Sequence, residues 1–259
     1  MTKESPVLLD RNVHITRGRT MHTSRTMMLA EASTVFAAVP TNADLADYRH
    51  AIIDSNVLLK RTMMNREHTY RKLKQLYVFD PAEPVFAAFR RFWDADPSGR
   101  PLLACLNAAF RDEVLEPTCE IILRLPLGTP VTSAELSEAV RATYPDRFSA
   151  ASLKSIGGNS ISTWTQSGHL EGTKIRRRAQ PEATVGTTAF ALLLGWLTGL
   201  RGLSLFDSTW ARLVSPRTAD LDTLAFAASN RDWLRYKRLG DVVEIDFTAF
   251  LAGLEVPRG

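Results

Sequence analysis

From Thr129 to Ala179 the chain changes its rhythm twice, and the order of those changes limits what it can fold into. Thr132, with Glu135 three residues on, is a capping-box start for a helix that runs to Tyr144. Pro145-Asp146-Arg147-Phe148 makes a turn, and Ser149 caps a second helix. On that helix Leu153, Ile156, Ile161 and Trp164 fall roughly on one face. Ser152, Lys154, Ser155, Asn159, Ser162, Thr163 and Gln166 populate the rest. Gly157-Gly158 in mid-helix costs about 1 kcal/mol per glycine relative to alanine, which implies that a neighbouring helix or a phosphate backbone comes close there. Ser167-Gly168 ends the helix; His169-Leu170 and Ile175 read as strand, with Glu171-Gly172-Thr173 at the tip. Lys174, Arg176, Arg177 and Arg178 then put four cations into five residues. Helix, turn, helix and basic hairpin is the order of a winged helix-turn-helix, a module that commonly docks on nucleic acid.

The rest of the chain has room for that module and more. Its 259 residues suffice for two or three small domains, and 45% hydrophobic and 23% charged residues are ordinary for a globular protein. The net charge of +4 is compatible with a nucleic-acid partner without requiring one, so the placement of charge says more. Between Lys60 and Lys74 stand Lys60, Arg61, Arg66, Arg71, Lys72 and Lys74 against the single acid Glu67. Between Ala150 and Gln180 five cations face only Glu171.

Residues 1–22 are polar, lack periodicity and read as a loose tail, in which Arg11, Arg17 and Arg19 offer a basic arm. Residues 23–126 read as a helical bundle. Ser24 is the candidate cap of a helix with Met27, Met28, Ala32, Val35 and Phe36 inward, stopped by Pro40. Asn42 or Asp44 starts the next, and a third runs from about Thr62 to Tyr77 with Met63, Met64, Tyr70, Leu73 and Leu76 expected inside. Val85, Phe86, Phe89, Phe92 and Trp93 give an aromatic face, and two further helices break near Glu116-Pro117. Pro126 to Pro130 is the expected boundary, so the winged module spans 127–180. In 181–259, Pro181 fits the first turn of an apolar helix. Trp233–Arg238 and Val242–Phe247 face each other across Leu239-Gly240-Asp241 as a hairpin, which could close a second winged helix or serve only in packing. The fold class is therefore mainly α: a bundle followed by winged-helix-type α+β modules.

Several chemistries find no support. There is no phosphate-cradling glycine loop, no G-x-S-x-G and no Cys-His pairing. The histidines are scattered, so no catalytic residue, metal site or cofactor is expected. His169 is expected on a strand edge at the surface. Cys105 and Cys119 sit in apolar helical contexts and read as reduced core residues of a cytoplasmic protein. No secretory signal is evident, and the most apolar window, Ala189 to Leu200, is too short for a bilayer, which needs about 20 residues. Neither a membrane nor a small-molecule substrate is expected.

The candidate DNA-binding residues are Lys154, Ser155, Asn159, Ser162, Thr163 and Gln166 on the second helix and Lys174, Arg176, Arg177 and Arg178 on the wing. Arg66, Arg71, Lys72 and Lys74 form a second phosphate surface on the bundle. Hydroxyls and amides without an arginine on the reading helix favour positioning over base readout, hence weak sequence preference. A protein–protein adaptor and a transcriptional repressor are the alternatives, the latter without a heptad run to support a dimer.

The segment Phe92 to Leu103, the run Arg147-Phe148-Ser149, the segment Ser162 to Leu170 with its basic tail, and the closing Asp241-Val242-Val243-Glu244-Ile245 together resemble the BrxA family of BREX bacteriophage-exclusion systems. The resemblance spans about Arg25 to Phe247. It implies an N-terminal bundle similar to the NusB antitermination fold with winged-helix character behind it. It further implies double-stranded DNA binding in host defence without a catalytic site, with other BREX proteins as partners.

Overall fold

The computed structural model describes residues 15–254. These residues are mainly helical, with twelve α-helices and two small antiparallel sheets among them. The order begins α1 (Leu29–Ala38), α2 (Leu45–Arg49) running into a π-helical turn (His50–Asp54), α3 (Met63–Tyr77), α4 (Pro84–Ala95), α5 (Arg100–Arg111) and α6 (Glu116–Arg124). Then come β1 (Pro130–Val131), α7 (Ser133–Thr143), α8 (Ala150–Gln166), β2 (Leu170–Glu171) and β3 (Arg176–Arg178). The last third holds α9 (Val185–Leu197), α10 (Thr209–Val214), α11 (Thr218–Ser229), β4 (Arg235–Leu239), β5 (Val242–Asp246) and α12 (Thr248–Leu254).

Local chemistry accounts for most boundaries. Asp44, Thr62, Thr132 and Ser149 each accept a backbone N–H from the first turn of the helix they precede. Gly168 and Gly172 take positive φ at the end of α8 and at the wing tip, a backbone region that favours glycine. β3 lies between β1 and β2, pairing Arg177 with both Pro130 and Glu171.

The aromatic face of α4 is buried throughout, with Phe36 of α1 set between Phe89 and Trp93, its ring centroid 5.6 and 5.2 Å from theirs. Tyr48 stacks on Phe79 at 4.3 Å. Phe92 reaches the last third, 5.2 Å from Trp233 and 5.3 Å from Phe250. α9 is buried along nearly its whole length and packs against α4, α5, α10 and α11. One hydrophobic cluster thus includes Phe89 of the bundle, Trp164 of α8 and Phe190 of α9. Cys105 and Cys119 are buried and unbridged, as expected.

Some expectations need correction. The apolar stripe Met27, Met28, Ala32, Val35 and Phe36 is buried, but its helix begins at Met28 in left-handed conformation (φ 53°), not at Ser24. α9 is capped by Thr184, three residues past Pro181. Met63 and Met64 are exposed, because the inward stripe of α3 is Thr69, Leu73, Leu76 and Tyr77.

The loose-tail expectation fails for residues 15–22; residues 1–14, Arg11 included, lie outside the described residues. Arg17 Nε donates to Phe110 O at 3.0 Å, with its guanidinium over the Phe110 ring. The Arg19 backbone N–H donates to Arg111 O at the end of α5, and the Glu113 N–H donates to Arg19 O. Arg111 donates to Thr16 O and forms a buried ion pair with Glu83, Nη2–Oε2 2.8 Å. Met21 and His22 are fully buried. The segment from Ile15 to Met28 is a strap, held by hydrogen bonds to helices far away in sequence.

Candidate nucleic-acid interface

The strap decides which side of α8 faces solvent. His22 hydrogen-bonds Asp112 Oδ2 through Nδ1 (2.7 Å) and Thr163 Oγ1 through Nε2 (2.8 Å). Thr163 Oγ1 also accepts Met27 N–H, and Asn159 Nδ2 donates to His22 O at 2.9 Å. Asp112, a carboxylate, accepts; the ring proton therefore belongs on Nδ1, and Nε2 accepts from the threonine hydroxyl. Hydroxyl, imidazole and carboxylate stand in the order of a nucleophilic triad. All three side chains are fully buried, so no substrate reaches them and the arrangement is a staple between strap and helix.

Two predicted contact residues on α8 are thereby reassigned. Thr163 lies in the interior, and Asn159 is half-buried with its amide spent on the strap. Sequence periodicity could not reveal this, because both residues are polar and their partners lie more than 130 positions away. The outer face that remains consists of Lys154, Ser155 and Gly158, exposed, with Ser162 and Gln166 half-exposed and bonded to each other. The two glycines differ. A Cβ on Gly157 would collide with Ser133 O and Ser137 Oγ of α7, so the close neighbour there is a helix. A Cβ on Gly158 would meet nothing within 4 Å.

On the wing, Arg178 is buried and must be removed from the contact set. Its Nε donates to Ile122 O at 2.7 Å and Nη2 to Gln180 Oε1 at 3.0 Å, tying β3 to α6. The alternation along β3 explains it: Arg176 and Arg178 share one side and Arg177 the other, and only the tip-proximal Arg176 keeps partial exposure. Arg177 is exposed and donates to Gly128 O at 3.0 Å. Lys174 is exposed at the tip. His169, expected at the surface, is buried against the Trp164 ring, centroids 5.0 Å apart, with Nε2 on Leu213 O at 2.9 Å. Burial pushes its pKa down to about 3, with the nearby Arg178 acting in the same direction.

On α3, Arg66 is half-buried and uses its guanidinium to hold Ile53 O and Lys60 O, which fixes the preceding loop. Arg71 and Lys74 are exposed and Lys72 half-exposed. Among the described residues no carboxylate pairs with Arg71, Lys72, Lys74, Lys154, Lys174, Arg176 or Arg177. Four cations elsewhere are answered: Arg235 by Glu244, Arg238 by Asp222, Arg147 by Glu113 and Arg217 by Asp220. The β4–β5 ribbon, turned at Gly240, therefore presents little free positive charge beyond Lys237.

The sequence pattern gave no sign of Arg25. It lies three residues beyond His22 on the strap, and its Nη2 donates to His68 Nδ1 of α3 at 3.3 Å. Three residues span about 10 Å at most, so the strap leads directly from Asn159 on α8 to the basic face of α3. Among the described residues no cluster of histidine, cysteine and carboxylate side chains could hold a metal ion, and no helix is long and apolar enough to cross a membrane. No protein-family model matches the chain, and no curated protein matches it in sequence.

Proposed function

We propose that this chain is a non-enzymatic double-stranded DNA-binding protein with weak sequence preference. We place it in the cytoplasm, in a bacterial anti-phage system of the BREX type, as its resemblance to the BrxA proteins implies. The observation that carries DNA binding is the set of cations without a carboxylate partner on α3, the outer face of α8 and the wing: Arg71, Lys72, Lys74, Lys154, Lys174, Arg176 and Arg177 among the described residues. Charge left open in this way is what a phosphate backbone neutralises, releasing counterions. The succession α6, β1, α7, α8, β2, β3, with β3 central in the sheet, supports reading residues from α6 to β3 as a winged helix. The helices before it are read as the NusB-like bundle.

The bundle face is the leading phosphate surface in this reading, and α8 is secondary. Arg178, Thr163 and Asn159 are committed to the fold, which leaves Lys154, Ser155, Ser162, Gln166, Lys174, Arg176 and Arg177 as the winged portion's offering, with Ser162 and Gln166 bonded to each other. A titration of labelled duplex across salt tests the proposal. With four to eight phosphates contacted, the slope of log K against log salt is expected at about −4 to −7. No binding at low salt, or a flat slope, refutes it.

A second reading, a protein–protein adaptor within a defence complex, is favoured by a different observation. Leu59, Met63 and Met64 expose 85%, 53% and 76% of their surface on one knuckle at the start of α3. Replacing all three by polar residues should leave DNA affinity intact while removing capture of an apolar partner surface.

A further inference from the structure

The junction between the strap and α3 holds a group of side chains that the fold does not use. His68, Arg71 and Lys72 occupy positions i, i+3 and i+4 of one helix and so share a face. Arg25 reaches over from the strap to the same ring. We propose that Arg25, His68, Arg71 and Lys72 form an oxyanion site for backbone phosphates whose occupation is coupled to uptake of one proton by His68. The inference rests on the reading above that the partner is duplex DNA.

The geometry and the charges around the ring favour the coupling. A guanidinium only donates, so His68 Nδ1 acts as the acceptor of Arg25 Nη2 in the empty site. The ring proton then sits on Nε2. A phosphate oxygen inserted between Nη2 and Nδ1 accepts from Arg25; it accepts from His68 once Nδ1 bears a proton, gained by a shift of the ring proton from Nε2 or by uptake of a second one. Uptake from solvent turns the imidazole into imidazolium, whose positive charge adds to the attraction for the phosphate. In the empty site the charged ring is disfavoured. Partial burial and the cations Arg25, Lys72 and Arg71 all push His68 below its ordinary pKa. A bound phosphate cancels that repulsion and stabilises the charged ring.

Carboxylates on the neighbouring elements are otherwise engaged: Asp54 of the π-helical turn with Arg49 and His50, Glu31 of α1 with Lys60, and Asp112 with His22. Glu67, exposed on α3, forms no ion pair among the described residues. The buried His22 already has both ring nitrogens bonded.

Binding therefore raises the His68 pKa, and duplex affinity should rise as pH falls through the titration range of this ring, by up to about tenfold per pH unit. Two measurements on the full chain test this. Fluorescence anisotropy with a labelled duplex at constant ionic strength, between about pH 5.5 and 8, should show affinity falling with pH. His68→Gln should flatten that profile, and the control His50→Gln should not alter it. Proton NMR of the His68 Cε1–H, assigned with the same variant, should give a titration midpoint that rises when sulfate replaces chloride. A His68 midpoint indifferent to sulfate, or an unaltered pH profile in His68→Gln, overturns the inference while leaving duplex binding standing. If sulfate raises the midpoint but no duplex binds at any pH, the oxyanion site stands and the DNA reading falls.

Discussion

Gly157 and Gly158 are adjacent on α8 and should respond to alanine in opposite ways. Gly157 sits where α7 comes closest, and a methyl group there must displace the Ser133 carbonyl. Gly157→Ala should therefore lower stability by about 1–3 kcal/mol despite its better helix propensity. Gly158 faces open space, so Gly158→Ala should stabilise the fold by up to about 1 kcal/mol. Chemical denaturation measures both. If the phosphate backbone runs along this face, the stabilised Gly158→Ala variant should also bind duplex more weakly, a split that a purely structural glycine cannot produce. Thr163 is the third informative position. Thr163→Val removes the partner of both His22 and the Met27 N–H, and should cost about 1–3 kcal/mol with little change in DNA binding. From sequence Thr163 belongs to the contact set because a hydroxyl on a helix looks the same whether it meets water or a buried imidazole. Only the long-range partner distinguishes the two.

At the scale of elements, what the sequence disclosed was local. Thr62, Thr132, Ser149 and Asp44 cap helices by hydrogen bonds to residues two or three positions away, and the inward face of α4 repeats within its own twelve residues. The strap had no such signature, since its bonds to Asp112, Asn159 and Thr163 cross 90 to 141 positions. For the same reason His169 reads as surface when it is a bolt between α8, β2 and the end of α10. Its burial has a measurable consequence. The unfolded chain protonates this ring below about pH 6.5, whereas the folded protein holds it neutral down to about 3. The unfolded state thus binds more protons between those limits. The contribution is complete above the upper limit and is lost as pH falls toward the lower one, with a slope of up to about 1.4 kcal/mol per pH unit. Denaturation midpoints at a series of acidic pH values should show this slope, and His169→Gln should reduce it. On α3, Arg71→Glu with Lys72→Glu should weaken duplex binding and make the salt slope shallower by about two. The same reversal at Arg178 should unfold β3 from α6 rather than report on DNA, because its guanidinium holds Ile122 O inside the structure.

At the scale of the whole molecule, the expected division into a tail, bundle, winged module and final segment meets a continuous interior. The Pro126 to Pro130 stretch does separate helix α6 from strand β1, which the prolines announce. Yet Trp164 of α8 donates its indole N–H to Thr118 of α6 at 2.9 Å, and Phe92 of α4 touches both Trp233 and Phe250. Proline and glycine punctuation reports where the chain turns. It does not report whether the apolar faces on either side of the turn meet, because that depends on surfaces far apart in sequence. The strap adds polar ties across the same divisions, from Arg111 and Asp112 at the end of α5 to Thr163 on α8. A fold joined in this way should unfold as one unit. Tryptophan fluorescence samples Trp93 in the bundle, Trp164 in α8 and Trp196 and Trp233 in the last third, while far-ultraviolet circular dichroism follows the helices. The two denaturation curves should coincide, and single-tryptophan variants retaining Trp93 or Trp233 should share their midpoint. Separated midpoints would mean that the bundle and the rest are independent bodies, and that the basic face of α3 and the outer face of α8 are not held in fixed register for one duplex.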